Sequence, residues 1–310
     1  MKCEWIAVDW GTSRLRVWAM SGAEPIASVS SDRGMAALTP DQFEPTLLSL
    51  IDPWLGERTT DVIACGMVGA RQGWAEAPYR TTPTEPPASD LCTAPTTDAR
   101  LRVRIINGLK QDNPADVMRG EETQLAGFLA DDPKFDGVVC LPGTHTKWAH
   151  ISAGEVVSFR TFMTGELFAL LSTQSVLRHS VDHKTGAPLD EAEFSNAMAD
   201  AMSKPEAVAA RLFSLRAEGL LHDLDPAVAG ARLSGFLIGS ELAAARPYWL
   251  GRRVVVIGAK RLGDAYCVAL NAQGIGAPFF EGDEMSLKGL TAAYLATMAS
   301  DSASSRGCAT

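Results

Sequence analysis

The chain opens on an apolar run, Trp5 to Val8, that closes in Asp9-Trp10-Gly11-Thr12-Ser13. A strand-like pattern resumes from Leu15 to Met20, Ser21-Gly22-Ala23-Glu24 turns, and Ile26 to Ser30 makes a third strand. The same order returns near the middle of the chain. Val138-Val139-Cys140-Leu141-Pro142-Gly143-Thr144-His145 continues into Lys147 to Ile151, turns at Ser152-Ala153-Gly154-Glu155, and resumes from Val156 to Arg160. Superposing the two Gly-Thr pairs brings the later turns into near register. The pattern therefore reads as an internal duplication, each copy opening one domain. Asp9 falls opposite Leu141, so only the first copy carries an acid.

Between the copies, Asp61 to Gly66 reads as a buried strand, Pro78 to Asp98 as an exposed Thr- and Pro-rich loop or cover, and Arg102 to Ile106 as another strand. Met118-Arg119-Gly120-Glu121-Glu122-Thr123-Gln124 then leads into a helix with Leu125, Phe128 and Leu129 on one face, ended by Asp131-Asp132-Pro133. Residues 165–246 are mostly helical in pattern. A strand at Val254 to Gly258, a helix from about Asp264, a strand at Ala277 to Phe280 and a helix from Met285 follow. The small, polar tail from Ser300 to Thr310 is expected to be disordered. This alternation predicts an α/β architecture of two duplicated domains, residues 1–131 and 132–310, each a mixed β-sheet flanked by helices.

Composition narrows the function. The 310 residues are 46% apolar and 21% charged, enough to bury real cores, and the net charge is −9 with no block of Lys or Arg. Such a surface argues against nucleic acid and anionic membranes as partners, while a local basic pocket could still take a small anion. No stretch approaches the roughly 20 apolar residues of a spanning helix. Glu4 and Asp9 interrupt the first run too soon for a signal peptide. Six cysteines without a CxxC pair, three of them inside apolar runs, point to reduced thiols and a cytoplasmic setting. Gly-x-Ser-x-Gly, HExxH, Walker A and post-strand GxGxxG sequences do not occur, which removes the commonest hydrolase, zincin, P-loop and dinucleotide readings.

A Gly-Thr turn between strands presents backbone N–H groups and a hydroxyl to one point, as phosphate oxygens require. One such pair, Gly11-Thr12, is a hairpin turn at least as readily; two matched copies with a single acid favour phosphate. Asp9 beside those phosphates is useful if it holds Mg²⁺ directly or through water. Glu121 and Glu122 open a helix, where they could simply cap it, or one could serve as general base on an acceptor hydroxyl. Gly258 and Gly263 flank a strand-to-helix turn that could admit a nucleotide. Arg71, in the Gly66-to-Trp74 loop, and Arg33 could each grip a substrate carboxylate or stand in solvent. His145 follows the second Gly-Thr and could donate to a phosphate. His179 and His183, near Asp182, lack a third metal ligand at sensible spacing and read as ordinary polar positions.

The Asp9 to Ser13 start, the Gly143-Thr144 echo and the late Gly258 strand resemble the phosphate-one, phosphate-two and adenosine elements of the sugar kinase, Hsp70 and actin superfamily, whose domains are actin-like, or ribonuclease H-like. Further strings resemble the 2-dehydro-3-deoxygalactonokinase family: Gly66-Met67-Val68-Gly69 with Arg71-Gln72-Gly73-Trp74, Met118 to Gln124, Leu141 to Trp148, and Phe162-Met163-Thr164-Gly165-Glu166. Two features depart from the superfamily pattern. Leu141-Pro142 precede a single Gly where Asp before Gly-Gly is usual, and Lys260-Arg261 stand where smaller residues are expected.

The resemblance implies two domains closing on a cleft and ATP-dependent, Mg²⁺-assisted phosphorylation of a sugar acid at a primary hydroxyl. It places Asp9 at the metal and Glu121 as base. Gly11, Thr12, Ser13, Gly143, Thr144, His145, Gly258 and Gly263 would contact the nucleotide, and Arg71, Arg33, Lys147 and Thr164 the substrate. An exopolyphosphatase-like hydrolase and a non-catalytic sugar-sensing module are the alternatives on this fold. A homodimer is the default assembly.

Overall fold

The computed structural model describes residues 3–86, 89–182 and 189–307, and the chain divides into two compact units. His183 lies outside the described residues. The first unit comprises residues 1–135, 152–158 and 282–310; the second comprises residues 136–151 and 159–281.

In the first unit, β1 (Trp5–Trp10), β2 (Leu15–Ser21) and β3 (Glu24–Ser31) form an antiparallel meander, followed by α1 (Phe43–Ile51) and β4 (Thr60–Gly66). The stretch expected to be loop contains two short strands, β5 (Tyr79–Thr81) and β6 (Leu91–Thr93). Next come β7 (Leu101–Ile106), β8 (Gly108–Asp112), β9 (Ala115–Met118) and α2 (Glu121–Asp131). The main sheet runs β3-β2-β1-β4-β7-β6, with β4 parallel to β1, and β5-β8-β9 form a small separate sheet.

The second unit starts the same way, with β10 (Gly137–Leu141), β11 (Thr146–Ser152) and β12 (Glu155–Phe162). Helices α3 (Thr164–Thr173), α4 (Glu191–Ser203), α5 (Val208–Leu221), α6 (Pro226–Ala244) and α7 (Arg246–Trp249) precede β13 (Val254–Gly258), α8 (Lys260–Asn271) and β14 (Phe279–Glu281). Its sheet order is β12-β11-β10-β13-β14, with β13 parallel to β10. Meander, then a parallel neighbour on the far side of the first strand, is the order of both sheets, and it is the duplication in three dimensions.

The last helix, α9 (Gly282–Gly307), belongs to the first unit, which corrects the expectation that everything after residue 131 forms one domain. The physical reason is a bare sheet face. Leu290 and Ala293 bury against Trp5, Ala7, Ile63 and Cys65, and Tyr294 stacks on Trp5 at 4.3 Å and 7°. The opposite face packs on Phe43, Leu47 and Ile51 of α1 with Trp10 and Trp74. Covered on both sides, β1 and β4 are buried at every residue, which is why they read as continuous apolar runs rather than alternating ones. From Ser300 to Gly307 the expected disorder is corrected: the helix continues to Gly307, with Asp301 paired to Arg104 at 2.8 Å and the Ser300 and Ser302 hydroxyls bonded to preceding carbonyls, while the rest of that stretch, residues 308–310, lies outside the described residues. Helix α8 begins at Lys260, four residues earlier than expected.

Candidate active site

Parallel pairing sets Asp9 beside Cys65 and Trp10 beside Gly66, so β1 and β4 end together. Gly66 has φ +87°, a conformation that side chains rarely adopt, and an added Cβ would lie 2.7 Å from the Trp10 carbonyl oxygen and 3.6 Å from Asp9 Oδ1. Gly120, at φ +110°, brings the start of α2 onto this spot; its Cβ would touch the Gly66 Cα at 3.4 Å. The start of α2, which carries Glu121 and Glu122, therefore lies against the ends of β1 and β4, where Asp9 stands.

The three carboxylates differ in environment. Asp9, 8% exposed, accepts at Oδ2 from Arg16 Nη2 at 2.8 Å. Glu122 is fully buried and accepts the Gly120 N–H with both oxygens, at 2.8 and 2.7 Å. Burial, and secondarily the charge of Glu121, pushes Glu122 up to about 8. Glu122 thus fills the capping role at α2. Glu121 is half-buried, with Oε2 accepting from the Arg119 N–H at 3.2 Å.

The first Gly-Thr turn is closed by Gly11 N–H donating to the Arg14 carbonyl at 2.8 Å. A strap through Arg33 lies across it. Met35 and Ala36 N–H donate to the Gly11 and Thr12 carbonyls at 3.0 Å each, and Trp10 Nε1 donates to the Arg33 carbonyl at 3.1 Å. The strap occupies the carbonyl side of the turn and leaves Thr12 and Ser13 exposed. Arg33, also exposed, is thereby brought beside this turn. Arg71 stands on a rigid loop anchored by buried Val68 and Trp74, its guanidinium 80% exposed and only 3.4 Å from Glu76. An ion pair that exposed holds it weakly.

In the second unit, the Gly143-Thr144 turn forms one end of a cavity of about 490 Å³. Thr164 and Gly165 at the start of α3 line it, with Gly230, Ala231 and Ser234 of α6 and Ala259, Arg261 and Leu262 at the start of α8. Phe168, Leu189, Leu237, Ile238 and Tyr266 complete the walls, which are mostly apolar with a few polar groups and of a size to take a small flat ring. Gly165 seats α3 against the turn: an added Cβ would lie 2.3 Å from the Gly143 carbonyl oxygen. The Glu166 N–H donates to the Thr144 carbonyl at 2.9 Å, and the Glu166 carboxylate meets His145 Nε2 at 2.6 Å.

Gly258 and Gly263 do something other than line this cavity. Gly258 lets β13 approach Pro142, where a Cβ would sit 3.1 Å from its carbonyl oxygen, and Gly263 accommodates the Phe279 ring. Their neighbours Ala259 and Arg261 form the wall instead. Lys147 is buried, its Nζ donating to the His145 carbonyl at 3.1 Å. Thr164 is buried too, its hydroxyl bonded to Glu241.

Glu241 is a residue that sequence reading passed over. Buried beneath the cavity, it accepts from Trp148 Nε1 at 2.8 Å, from Tyr266 Oη at 2.7 Å and from Thr164. Burial raises it to about 7 against the pull of these donors. Tyr266 Oη also meets Thr146 Oγ1 at 2.9 Å. One carboxyl thus ties β11, α3, α6 and α8 together. A Glu in the last turn of a largely apolar helix is the available signal.

Comparison with known proteins bears on this arrangement. Component A of (R)-2-hydroxyglutaryl-CoA dehydratase from Acidaminococcus fermentans, at 13% identity, superposes with a TM-score of 0.51 over 94% of this chain and 98% of that one, and shares the actin-like fold alone. A crystal structure from Sinorhizobium meliloti, described as a 2-dehydro-3-deoxygalactonokinase protein, is 38% identical with a TM-score of 0.87, covering 94% of this chain and 96% of its own. The 2-dehydro-3-deoxygalactonokinase of Escherichia coli strain K12 is 32% identical over 289 residues, 91% of this chain and 94% of that one. The profile of one family matches residues 9–293, and the chain belongs to that family, the 2-keto-3-deoxy-galactonokinases.

Proposed function

We propose that this protein transfers the terminal phosphoryl group of ATP to the C6 hydroxyl of 2-dehydro-3-deoxy-D-galactonate, in galactonate breakdown. Family membership supports the reaction class. The observation that carries the assignment of residues is the close approach, at Gly66 and Gly120, of the α2 start that carries Glu121 to the strand ends that carry Asp9.

Each unit contributes a part. The first supplies Gly11, Thr12 and Ser13 for phosphate oxygens and Glu121 to accept the proton of the attacking hydroxyl. Glu121 suits that role better than Glu122, whose two oxygens are already committed to Gly120. Arg71 grips the sugar-acid carboxylate from its exposed perch, and Arg33, beside the turn, serves the phosphates or that carboxylate. The second unit supplies Gly143 and Thr144, the cavity for the adenosine moiety, and His145, which Glu166 holds in place. Lys147 and Thr164 support the second turn rather than the substrate, since their polar groups point to His145 and Glu241.

Residues around Asp9 suit Mg²⁺: Arg16 holds one carboxylate oxygen and the other lies on the side of Gly66, so that a metal there would draw most of its ligands from water and phosphate. Bound there, Mg²⁺ would neutralise charge on the transferred group. Among the described residues no helix is long and apolar enough to cross a membrane. Cys3, Cys65, Cys92, Cys140 and Cys267 are free thiols, in keeping with a reducing, cytoplasmic setting.

The test is coupled ADP release with ATP and Mg²⁺ against a panel of aldonic and 2-keto-3-deoxy acids. Preference for 2-dehydro-3-deoxygalactonate is expected. ADP release without an acceptor would favour a hydrolase instead. Glu121→Gln should lower kcat by about 10²–10⁴-fold, and wild-type turnover would remove the base from Glu121.

A further inference from the structure

In the scheme above Arg16 only holds one oxygen of Asp9, the acid that the scheme depends on, and its wider contacts are left unused. Asp9 and Arg16 are direct cross-strand partners on β1 and β2, so their side chains share a face of the sheet. Their side chains are 11% and 25% exposed, dry enough for charge to matter more than in open water. The second arm of the fork is also taken, because Arg16 Nη1 pairs with Asp283, in the first turn of α9. A planar guanidinium can hold two carboxylates at once in fixed directions, which an ammonium cannot.

The geometry of Asp9 gives this clamp a purpose. Arg16 occupies Oδ2, and Oδ1 lies on the side of Gly66, 3.6 Å from the place a Cβ there would take, an ordinary contact distance. The duplication supplies an internal comparison. In the second copy, the register position opposite Lys147 is held by Leu141. The same antiparallel pairing forms there with neither the acid nor the guanidinium, so the strand pairing itself does not require the Asp9–Arg16–Asp283 trio.

We propose that Arg16, braced by Asp283, is a positioning residue that fixes the Asp9 carboxylate with Oδ2 occupied and Oδ1 presented to the metal ion of the nucleotide complex. The inference rests on the kinase reading of the site. Removing the brace leaves Asp9 free to rotate, which weakens metal binding and slows turnover while leaving the sugar-acid site intact. Residues that orient a metal ligand typically contribute 10–100-fold to affinity or activity.

Asp283→Asn and Arg16→Lys are the variants of choice. Asp283 is 65% exposed, so its amide version should fold. Mn²⁺ titration in the presence of ADP, followed by the EPR signal of free Mn²⁺, measures the metal directly. Both variants should bind Mn²⁺ at least tenfold more weakly and lose kcat in proportion. The KM for the sugar acid and the melting temperature should stay near wild type. Wild-type Mn²⁺ affinity in both variants overturns the brace while leaving the kinase reading standing. A loss that follows the melting temperature, or that falls on the sugar-acid KM, overturns it equally. Wild-type protein that binds no Mn²⁺ with ADP overturns the metal assignment at Asp9 together with the brace. ADP release that needs no sugar acid, with the Mn²⁺ loss still present, sinks the kinase reading alone.

Discussion

Gly165→Ala adds one methyl group where the structure has no room. The new Cβ would lie 2.3 Å from the Gly143 carbonyl oxygen and 2.9 Å from the Thr144 Cα, both backbone atoms that cannot rotate away. Ordinary contact for such a pair begins near 3.4 Å, so α3 and the second Gly-Thr turn must separate by about 1 Å. Overpacking of this kind costs about 1–3 kcal/mol. That corresponds to a fall of several degrees in melting temperature for a protein of this size. The catalytic consequence is larger if the turn grips phosphate, because a displacement of about 1 Å in a positioning group can cost on the order of 10²-fold. The assay is coupled ADP release over an ATP titration, alongside thermal melts. Gly276→Ala is the control, since nothing lies within 4 Å of its added Cβ. A Gly165→Ala protein that melts lower yet keeps wild-type kcat/KM for ATP would show that the turn bears no phosphate. One that melts normally would refute the steric argument itself.

Other outcomes follow from the buried carboxyls. Glu122 sits near 8 when folded and near 4.5 when free, so the folded protein binds the extra proton between these values and stability falls as pH rises through that window. The limit is roughly 5 kcal/mol, at about 1.4 kcal/mol per unit. Glu122→Gln should flatten urea midpoints between pH 5 and 9, leaving the smaller fall due to Glu241; an unchanged slope would deny Glu122 this part. Glu241→Ala strands the donors of Trp148, Tyr266 and Thr164 and should destabilise by about 3–5 kcal/mol, with a raised KM for ATP. Glu241→Gln should recover most of this, because the amide oxygen serves Trp148 while Tyr266 turns its hydroxyl to Thr146; equal losses in both would mean the charge itself is required. Gly66→Ala should impair turnover at least tenfold, because the new Cβ would press on the Trp10 carbonyl oxygen at 2.7 Å and strain a φ of +87°, shifting the end of β1 that carries Asp9; kcat at saturating ATP measures it.

The fold was largely legible because its strongest signals are local. Strand periods, Gly turns and the single acid of the first copy lie within short windows, and the duplication made them reinforce one another. Residues that act across long separations were not legible. Nothing near Asp283 indicates that it will meet Arg16, and nothing in α6 says that Glu241 will receive donors from three other elements. Gly258 and Gly263, expected at a nucleotide, show a subtler gap. Glycine permits close approach, and close approach does occur, but to Pro142 and Phe279 rather than to the cavity. Sequence shows that a side chain is missing, not which neighbour needs the space. For Thr164 and Lys147 the resemblance supplied a role, while burial supplied the partners that each side chain uses.

Helix α9 has a consequence for synthesis. A chain emerging from the ribosome delivers β1 first, yet the cover for one face of its sheet, Leu290, Ala293 and Tyr294, comes nearly three hundred residues later. The second unit needs nothing beyond Glu281 and can finish its core while the first still shows Trp5, Ile63 and Cys65 uncovered. The half that is made first is completed last. A nascent chain stalled before Gly282 would carry one closed body and one sticky sheet, a form that holdase chaperones recognise. Clipping the final helix would act as an internal wound to the oldest part of the chain.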